Sequence, residues 1–183
     1  YVYGYPRTLS TGWLSPLINI DEVLDISIYI YPVDTTVVMK NLRKKVTQLE
    51  ADISLNAEKG RIRNPETDAA IQDAEELRDQ LQLGYEKFFR FGLYVTLWAD
   101  SLDELNYVQH KIETMFGQLM IFSKVATSQQ EQGMNTTMPM ATDQLQIRRN
   151  MNTSAISTSF PFTSADLTQE RGILYGVNMH NQG

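Results

Sequence analysis

The chain of 183 residues contains no cysteine and only two histidines, His110 and His180. Without cysteine it can form neither a disulfide framework nor a thiolate metal site, and this composition is typical of a reducing compartment. The histidines lie far apart in the sequence, so they do not make the closely spaced ligand pair of a zinc motif. His110 falls in the middle of a predicted helix, where a structural role is favoured over a catalytic one. The sequence therefore predicts no metal centre.

Long apolar runs are also absent. No stretch approaches the roughly 18 consecutive apolar residues that a membrane span needs, and the first residues lack the basic and apolar regions of a signal peptide. Hydrophobic residues still make up 42% of the chain, which is enough for a sizeable core. The chain opens on Tyr1 and ends on a polar stretch from His180 to Gly183, a pattern that favours a piece of a longer protein.

Positive charge is scarce, since 16 Lys and Arg residues stand against 22 Asp and Glu, for a formal net charge of -6. Affinity for nucleic acid comes mostly from Lys and Arg that neutralise phosphates, so direct DNA binding by this chain is not expected. Aromatic residues near the start offer faces on which bases can stack, but only Arg7 accompanies them and packing inside protein is favoured. They are Tyr1, Tyr3, Tyr5 and Trp13.

Sequence signals for catalysis are missing as well. The phosphate-binding pattern G-x-x-x-x-G-K-[ST] does not occur, because no Lys-Ser or Lys-Thr follows Gly172 and Gly176. No G-x-S-x-G nucleophile elbow is present. Adjacent carboxylates such as Glu75 and Glu76 fall on predicted helix surfaces, where solvated charge is favoured over acid–base chemistry. We therefore expect no enzyme activity and no bound cofactor for this chain.

Three segments have the alternating pattern of β-strands. Residues 24–31 place isoleucines on one face, and Pro32 is expected to end this strand because it cannot donate to a ladder. Residues 88–98 alternate between large apolar side chains and mixed ones. Residues 120–126 are predicted to form a third strand.

Two helices are predicted between the first two strands, and together they form an antiparallel hairpin. Asn64 followed by Pro65 is a strong helix-start signal. Apolar residues recur along each helix and make one narrow stripe. Two arrangements remain open: the hairpin packs on the sheet, or it projects as an arm that docks on a neighbouring subunit. The stripe residues are Leu42, Val46, Leu49 and Ile53 in the first helix and Ala70, Ala74, Leu77 and Leu81 in the second.

Further along, a capping box at Ser101 predicts a helix to about residue Gln118. The polar residues 128–150 are expected to hold a short helix and then an extended connection, and residues 153–160 and 173–178 are predicted strands. The core order is strand, helical hairpin, strand, helix, strand. This order predicts an α+β fold with a small mixed sheet and helices on one face, or a ferredoxin-like variant of it.

Six apolar or aromatic residues are candidates for an interaction surface. Trp13 lies in a segment that we interpret as a short helical turn or strap. Three consecutive residues add apolar surface beyond the stripe of the first hairpin helix, and two phenylalanines flank a proline near the end. Ordinary packing is the alternative for each. These five are Val37, Val38, Met39, Phe160 and Phe162.

The order and spacing of several segments resemble a known family. They are Tyr5-Pro6-Arg7 with Gly12-Trp13-Leu14, the hairpin passage from Leu42 to Asp79, Asn152-Thr153-Ser154-Ala155 running to Phe160-Pro161-Phe162, and Gly176-Val177-Asn178. Together they resemble the N-terminal, pre-motor region of the conjugative-transfer ATPases of type IV secretion systems, in the form found in Gram-positive bacteria. In that family a phosphate-binding loop follows soon after such a segment.

The resemblance implies a division into three parts: an α+β scaffold domain (residues 1–126), a connecting segment (127–150) and the start of the nucleotide-binding motor domain (151–183). It implies a non-catalytic assembly role, in which the scaffold docks on other subunits of the ATPase, as a homo-oligomer, and on secretion components. ATP and Mg are expected only for the whole protein, which would lie in the cytoplasm at the inner face of the cell membrane. The alternative is a module that guides nucleic acid to a DNA-translocating ATPase.

Overall fold

The computed structural model describes residues 1–58 and 64–161 and has an α+β fold. Both Phe162 and the strand predicted at 173–178 lie outside the described residues. In chain order the elements are β1 (Val2–Gly4), α1 (Ser15–Ile18), β2 (Leu24–Val33), α2 (Thr35–Glu58), α3 (Pro65–Leu83), β3 (Phe88–Leu97), α4 (Leu102–Gln118), β4 (Phe122–Ser123), α5 (Gln130–Thr137), β5 (Arg149–Asn152) and α6 (Thr153–Ser157).

The central sheet has the strand order β2-β3-β5. β2 and β3 pair along their whole length, from Leu24 opposite Leu97 to Val33 opposite Phe88. β5 pairs with only the first part of β3, and the last matched pair is Phe91 with Arg149. β1 and β4 form a separate two-stranded sheet. The long central strands thus confirm the alternating pattern read from the sequence.

Pro32 does not end β2, so that prediction was wrong. The Trp98 amide donates to the Val23 carbonyl at 3.1 Å, and alternation from that pair turns the backbone of Pro32 away from β3. β2 is an edge strand of the sheet. The missing N–H of proline therefore falls on the outer side, where it removes no ladder bond.

The expected mixed sheet was also wrong, because every strand pair among the described residues is antiparallel. The reason lies in the connection between β2 and β3. Two antiparallel helices bring the chain back to the end of the sheet where β2 finished. The next strand, β3, therefore starts beside the end of β2 and runs antiparallel to it. The single helix α4 does not lead to a parallel neighbour either, since β4 pairs with β1.

The main core lies on the aliphatic face of the central sheet. Phe91 and Leu93 of β3 pack there with Val108, Ile112 and Phe116 of α4. The spacing of these α4 residues places them on one helix face. The segment around α1 closes the same core, which also includes Val2, Trp13, Leu14, Leu17, Ile121 and Met151.

Helices are not confined to one face of the sheet, which corrects the sequence-based expectation. The helix α5 covers the opposite face, where Tyr29 Oη donates to the Thr136 carbonyl at 2.8 Å and Ser27 Oγ donates to the Thr137 carbonyl at 3.1 Å. Polar side chains on this face of the sheet satisfy the free carbonyls of the last helical turn. This packing was not predicted from the sequence, because α5 has only a weak apolar stripe.

The helices α2 and α3 form the predicted antiparallel hairpin, and it projects as an arm. They pack chiefly against each other, and neither makes comparably extensive contact with another described helix or strand. α2 has 24 residues, which corresponds to about 36 Å. Asn64 Oδ1 accepts from the Glu66 amide at 3.0 Å and begins α3, as predicted. Gly84 ends α3 in the left-handed conformation, with φ +77°.

Two later strand predictions were wrong. Only Phe122–Ser123 of the predicted strand 120–126 is paired as a strand, and Met120 adopts φ 54° two residues after the end of α4. Residues 153–160 begin as α6 and not as a strand, because Asn152 Oδ1 accepts from the Ala155 amide at 3.1 Å and caps a helix. The strand lies upstream, as β5.

The segment 127–150 was expected to connect two domains. The structure places α5 and the first residues of β5 from this segment against the central sheet. The division at residue 151 stays a prediction, and β5 runs across it. No described helix combines the length and the apolar character that crossing a membrane requires.

Candidate functional site

The sequence-predicted interface residues are not brought together on one surface. Trp13 is only 4% exposed and lies in the main core, where its Nε1 donates to Ser159 Oγ at 3.3 Å. It forms the helical turn expected from the sequence, but as a core residue. Phe160 follows Ser159 directly and is exposed. Trp13 is therefore a buried core residue, whereas Phe160, next to its hydrogen-bond partner Ser159, is exposed to solvent.

Val37, Val38 and Met39 lie in the first turns of α2, where Asp34 caps the helix by accepting from the Thr36 amide at 2.7 Å. Val38 is buried at the base of the arm, Met39 is half-buried and Val37 is exposed. Consecutive residues on a helix point in different directions. Of these three, Val37 offers the most exposed side chain to a partner protein.

The arm offers a larger free surface than its base. Only Val38 and Val46 of α2 and Leu81 of α3 are buried. Near the far end of α2, Leu55 is 51% exposed. Arg7 pairs with Asp73 of α3 and ties the N-terminal segment to the arm.

A polar and aromatic cluster occupies the second face of the central sheet. The rings of Tyr29 and Tyr31 stack at 6.2 Å, and Tyr94 meets Tyr29 edge-on at 5.8 Å. The guanidinium of Arg148 lies 3.9 Å from the centroid of the Tyr31 ring, and its Nε donates to Asp143 Oδ2 at 2.7 Å. This cluster fastens the segment between α5 and β5 to the sheet.

Titration in this cluster fits a structural role. Burial, followed by the hydrogen bond and negative charge of Asp143, raises the pKa of the Tyr94 phenol far above its usual range. The Tyr94 hydroxyl donates to the Ile147 carbonyl at 3.0 Å. A phenol that is neutral at physiological pH and donates to backbone holds a loop in place. This cluster was not predicted from the sequence. Its only sequence signal is a glycine inside a strand, Gly92 between Phe91 and Leu93. The structure explains this glycine, because a Cβ at position 92 would lie 3.0 Å from the Tyr94 ring.

The second half of β3 has an open edge. The Thr153 amide donates to the Lys87 carbonyl at 3.0 Å, so Lys87 faces β5. By alternation, the N–H and C=O groups of Leu93, Val95 and Leu97 also point to the β5 side. β5 ends beside Phe91, and in the part of the chain that the structure describes no strand pairs with this edge farther along.

A cavity of about 400 Å³ runs along this edge between α4 and α5. We call it the β3 slot. β3 forms its floor, α4 one wall and α5 the other, while the segment after β4 closes one side. Its lining includes Thr96 and Leu97 of β3, Leu105 and Ile112 of α4, Gly133, Met134 and Thr137 of α5, Val125, Ala126 and Leu145.

The carboxylates that stand in adjacent pairs are exposed, except for Glu22, which is half-buried. Glu75 pairs with Arg78, Glu22 accepts from Lys111 Nζ at 2.7 Å, and Glu104 accepts from the Asp100 amide at 3.1 Å. Ser101 Oγ accepts from the Glu104 amide, so the predicted capping box forms with Asp100 in place of Ser101 as the donor to Glu104. No group of three or more metal-binding side chains occurs among the residues described. Absence of enzyme activity stays a prediction.

Comparison with known proteins gave no relative: no family model, no curated protein and no solved structure matches this chain. The geometry of the arm and of the β3 slot is therefore the basis for a functional assignment.

Proposed function

We propose that this chain is a non-catalytic assembly domain of a conjugative DNA-transfer ATPase of a type IV secretion system, and that the arm docks it on other subunits or secretion components. The projecting arm is the observation that carries this proposal. A helical hairpin that packs chiefly on itself leaves both outer faces free for a partner helix or groove. The family resemblance supplies the identity of the machine, and the arm supplies the mode of attachment.

The charge of the chain supports a protein partner over a nucleic acid. With a net charge of -6, the surface repels phosphate backbones at low salt. Exposed apolar side chains on the arm, such as Val37 and Leu55, suit a protein surface. Attachment through the arm would hold the ATPase, with its ATP and Mg, at the cytoplasmic face of the membrane.

The gene gives the first test of this proposal. The reading frame downstream of Gly183 is expected to encode G-x-x-x-x-G-K-[ST] within a few tens of codons. A frame that continues without this loop would remove the family assignment. Purified chain is also expected to show no ATP turnover and no DNA binding that weakens with salt; salt-dependent DNA binding would favour the nucleic-acid-guiding role.

Substitution on the arm tests the docking mode. Val37→Asp and Leu55→Asp place a charge on exposed arm positions and are expected to lower the transfer frequency of donor cells by at least about tenfold, since a buried unpaired charge weakens an interface strongly. Tyr107→Asp on α4 is the control, because Tyr107 is also exposed but lies outside the arm. Equal loss with all three variants would contradict docking through the arm.

A further inference from the structure

We propose that the β3 slot binds an extended, uncharged segment of a partner protein, which adds to the central sheet as a strand beside β3. This site is separate from the arm, and the proposal holds whether or not the chain belongs to a transfer ATPase. The bound segment would pair with β3 on the same side as β5, farther along the strand. The slot would then complete the second half of an edge that β5 leaves open.

The backbone of β3 supplies the binding groups. Val95 and Leu97, which line the slot, each turn one N–H and one C=O toward it, as the alternation from Lys87 and Trp98 requires. Both residues are half-buried, whereas Leu93 is fully buried and does not line the slot. Buried backbone groups in native proteins almost always have a hydrogen-bond partner. An added strand supplies these partners in the same geometry that β5 uses beside Phe89 and Phe91.

The two walls determine the side chains of the occupant. Successive side chains of a strand point to opposite faces, so alternate residues would face α4 and α5. The apolar side chains of the α4 wall are Leu105, Ile112 and Phe116, and Gln109 and Glu113 lie beside them. On the α5 side, Thr96 and Thr137 join their hydroxyls at 2.6 Å. The walls therefore suit β-branched aliphatic residues that alternate with small polar residues such as threonine or serine.

Charge in the lining favours an uncharged occupant. The side chains along the slot that carry a charge at neutral pH are Glu113 of α4 and Lys124 after β4, one of each sign. A charged side chain on the strand would meet one attractive and one repulsive partner in a cavity whose other lining side chains are neutral at physiological pH. Burial of such a charge is costly unless it is fully paired. Alternating neutral residues avoid this cost.

The shape of the slot favours a single strand over a second copy of this chain. The open edge of β3 lies at the bottom of a groove between two helices, and the segment from Ser123 to Ala126 borders it. A second copy pairing through its own β3 would bring its own α4 and α5 against these walls. An extended segment without flanking layers enters freely. The outer edge of β2 offers a weaker site, because Pro32 removes one donor there.

The test uses the whole chain labelled with ¹⁵N and a blocked heptapeptide of alternating valine and threonine. We expect saturable amide shifts at Val95 and Leu97 and protection of these two amides from hydrogen exchange. The same peptide with two N-methylated amides on one edge keeps its side chains but loses two hydrogen bonds. It is expected to bind at least about tenfold more weakly.

Two variants of the chain separate the slot from the rest of the surface. Gly133→Leu fills the slot from α5 and is expected to abolish binding. Gly133→Ala is the matched control, since the added Cβ would lie at an ordinary 3.5 Å from Ala126 Cβ. If Gly133→Leu does not fold, Val125→Arg places a charge at the exposed rim and serves the same purpose.

Several results would overturn the proposal. They include equal affinity for the N-methylated peptide, shifts at Ile26 and Ile28 in place of the β3 edge, and no saturable binding by the folded chain. Self-association that protects the Val95 amide without peptide would show that a second copy occupies the slot. Each result is visible in the same spectra and does not depend on any secretion assay.

Discussion

Arg148 Nε donates to Asp143 Oδ2 at 2.7 Å, and the Asp143 side chain is only 1% exposed. The other carboxylate oxygen accepts from the Gln146 amide at 2.8 Å, where the backbone has a φ of 53°. The Asp143 carboxylate thus holds the Arg148 guanidinium and also stabilises the left-handed backbone at Gln146. Because Arg148 also covers Tyr31, this pair sets the position of the chain that enters β5.

Asp143→Ala is expected to destabilise the fold by about 3 kcal/mol, because removal of one partner leaves a largely buried cation unpaired. Urea denaturation measures this change. Asp73→Ala is the control, since its pair with Arg7 is solvent-exposed on both sides and should contribute at most about 1 kcal/mol. Similar losses for the two variants would contradict the structural role assigned to Asp143.

One substitution, glycine to alanine, is expected to have opposite effects at two positions. Gly84 ends α3 at φ +77° with open space around it, so Gly84→Ala should cost about 1 kcal/mol through backbone strain alone. Gly117 lies inside α4, also with open space around it. Gly117→Ala should stabilise by about 0.5–1 kcal/mol. Thermal unfolding measures whether each variant is less or more stable than the original chain. A change in the same direction for both variants would contradict the assigned end of α3.

Two leucines of α3 test how the arm is held together. Leu81 is 3% exposed and Leu83 is 67% exposed. Leu81→Ala should destabilise by about 2–4 kcal/mol because it opens a cavity at the base of the arm. Leu83→Ala should change the free energy of unfolding by no more than about 0.5 kcal/mol. Hydrogen exchange of the α2 amides would show faster opening only in the first variant, and comparable opening in both would refute this packing.

The hydrogen bond by which Asp34 caps the N-terminus of α2 is expected to weaken at acidic pH. The hydrogen bond from the Thr36 amide, followed by that from its side chain, holds the pKa of Asp34 below its ordinary value of 3.8. A lowered folded-state pKa favours the ionised form, so the contribution is complete above the unfolded-state pKa and disappears as the pH falls through the folded-state pKa. ¹³C NMR of the carboxyl measures this titration directly.

Asp34→Asn supplies the control for this pH dependence. The amide oxygen of asparagine caps a helix without titrating, so the acid-dependent loss of protection at the Thr36 and Val37 amides should vanish. A carboxyl at position 34 that titrates at or above 3.8 would contradict the cap.

Local signals predicted most of the elements correctly, because their causes are local. Asn64 and Ser101 begin helices through hydrogen bonds within three residues. Alternation over ten residues placed β2 and β3. Pro32 misled because its effect depends on which side of the strand faces a neighbour. That side is set by pairing with β3, which lies more than fifty residues away in the sequence.

The candidate sites could not be predicted in the same way. The β3 slot exists because β5 has four residues where β3 has ten, and a sequence does not show where two distant strands stop pairing. Asp143 and Arg148 come within reach of Tyr31 only through the turns between α5 and β5. The arm was one of two open arrangements, and only the packing of α2 against α3 decides between them.

The bond between Trp13 and Ser159 joins residues 146 positions apart, and this separation affects the order in which the chain folds as it is made. The arm depends on contacts within its own residues and can form early. The core around Phe91 needs residues from both ends of the described chain. At about 5–20 residues per second, the ribosome takes on the order of ten seconds to deliver the second end after the first. During that interval the apolar side chains around Phe91 stay exposed to solvent, because their packing partners near the end of the chain are not yet made. The arm is therefore expected to fold before the core.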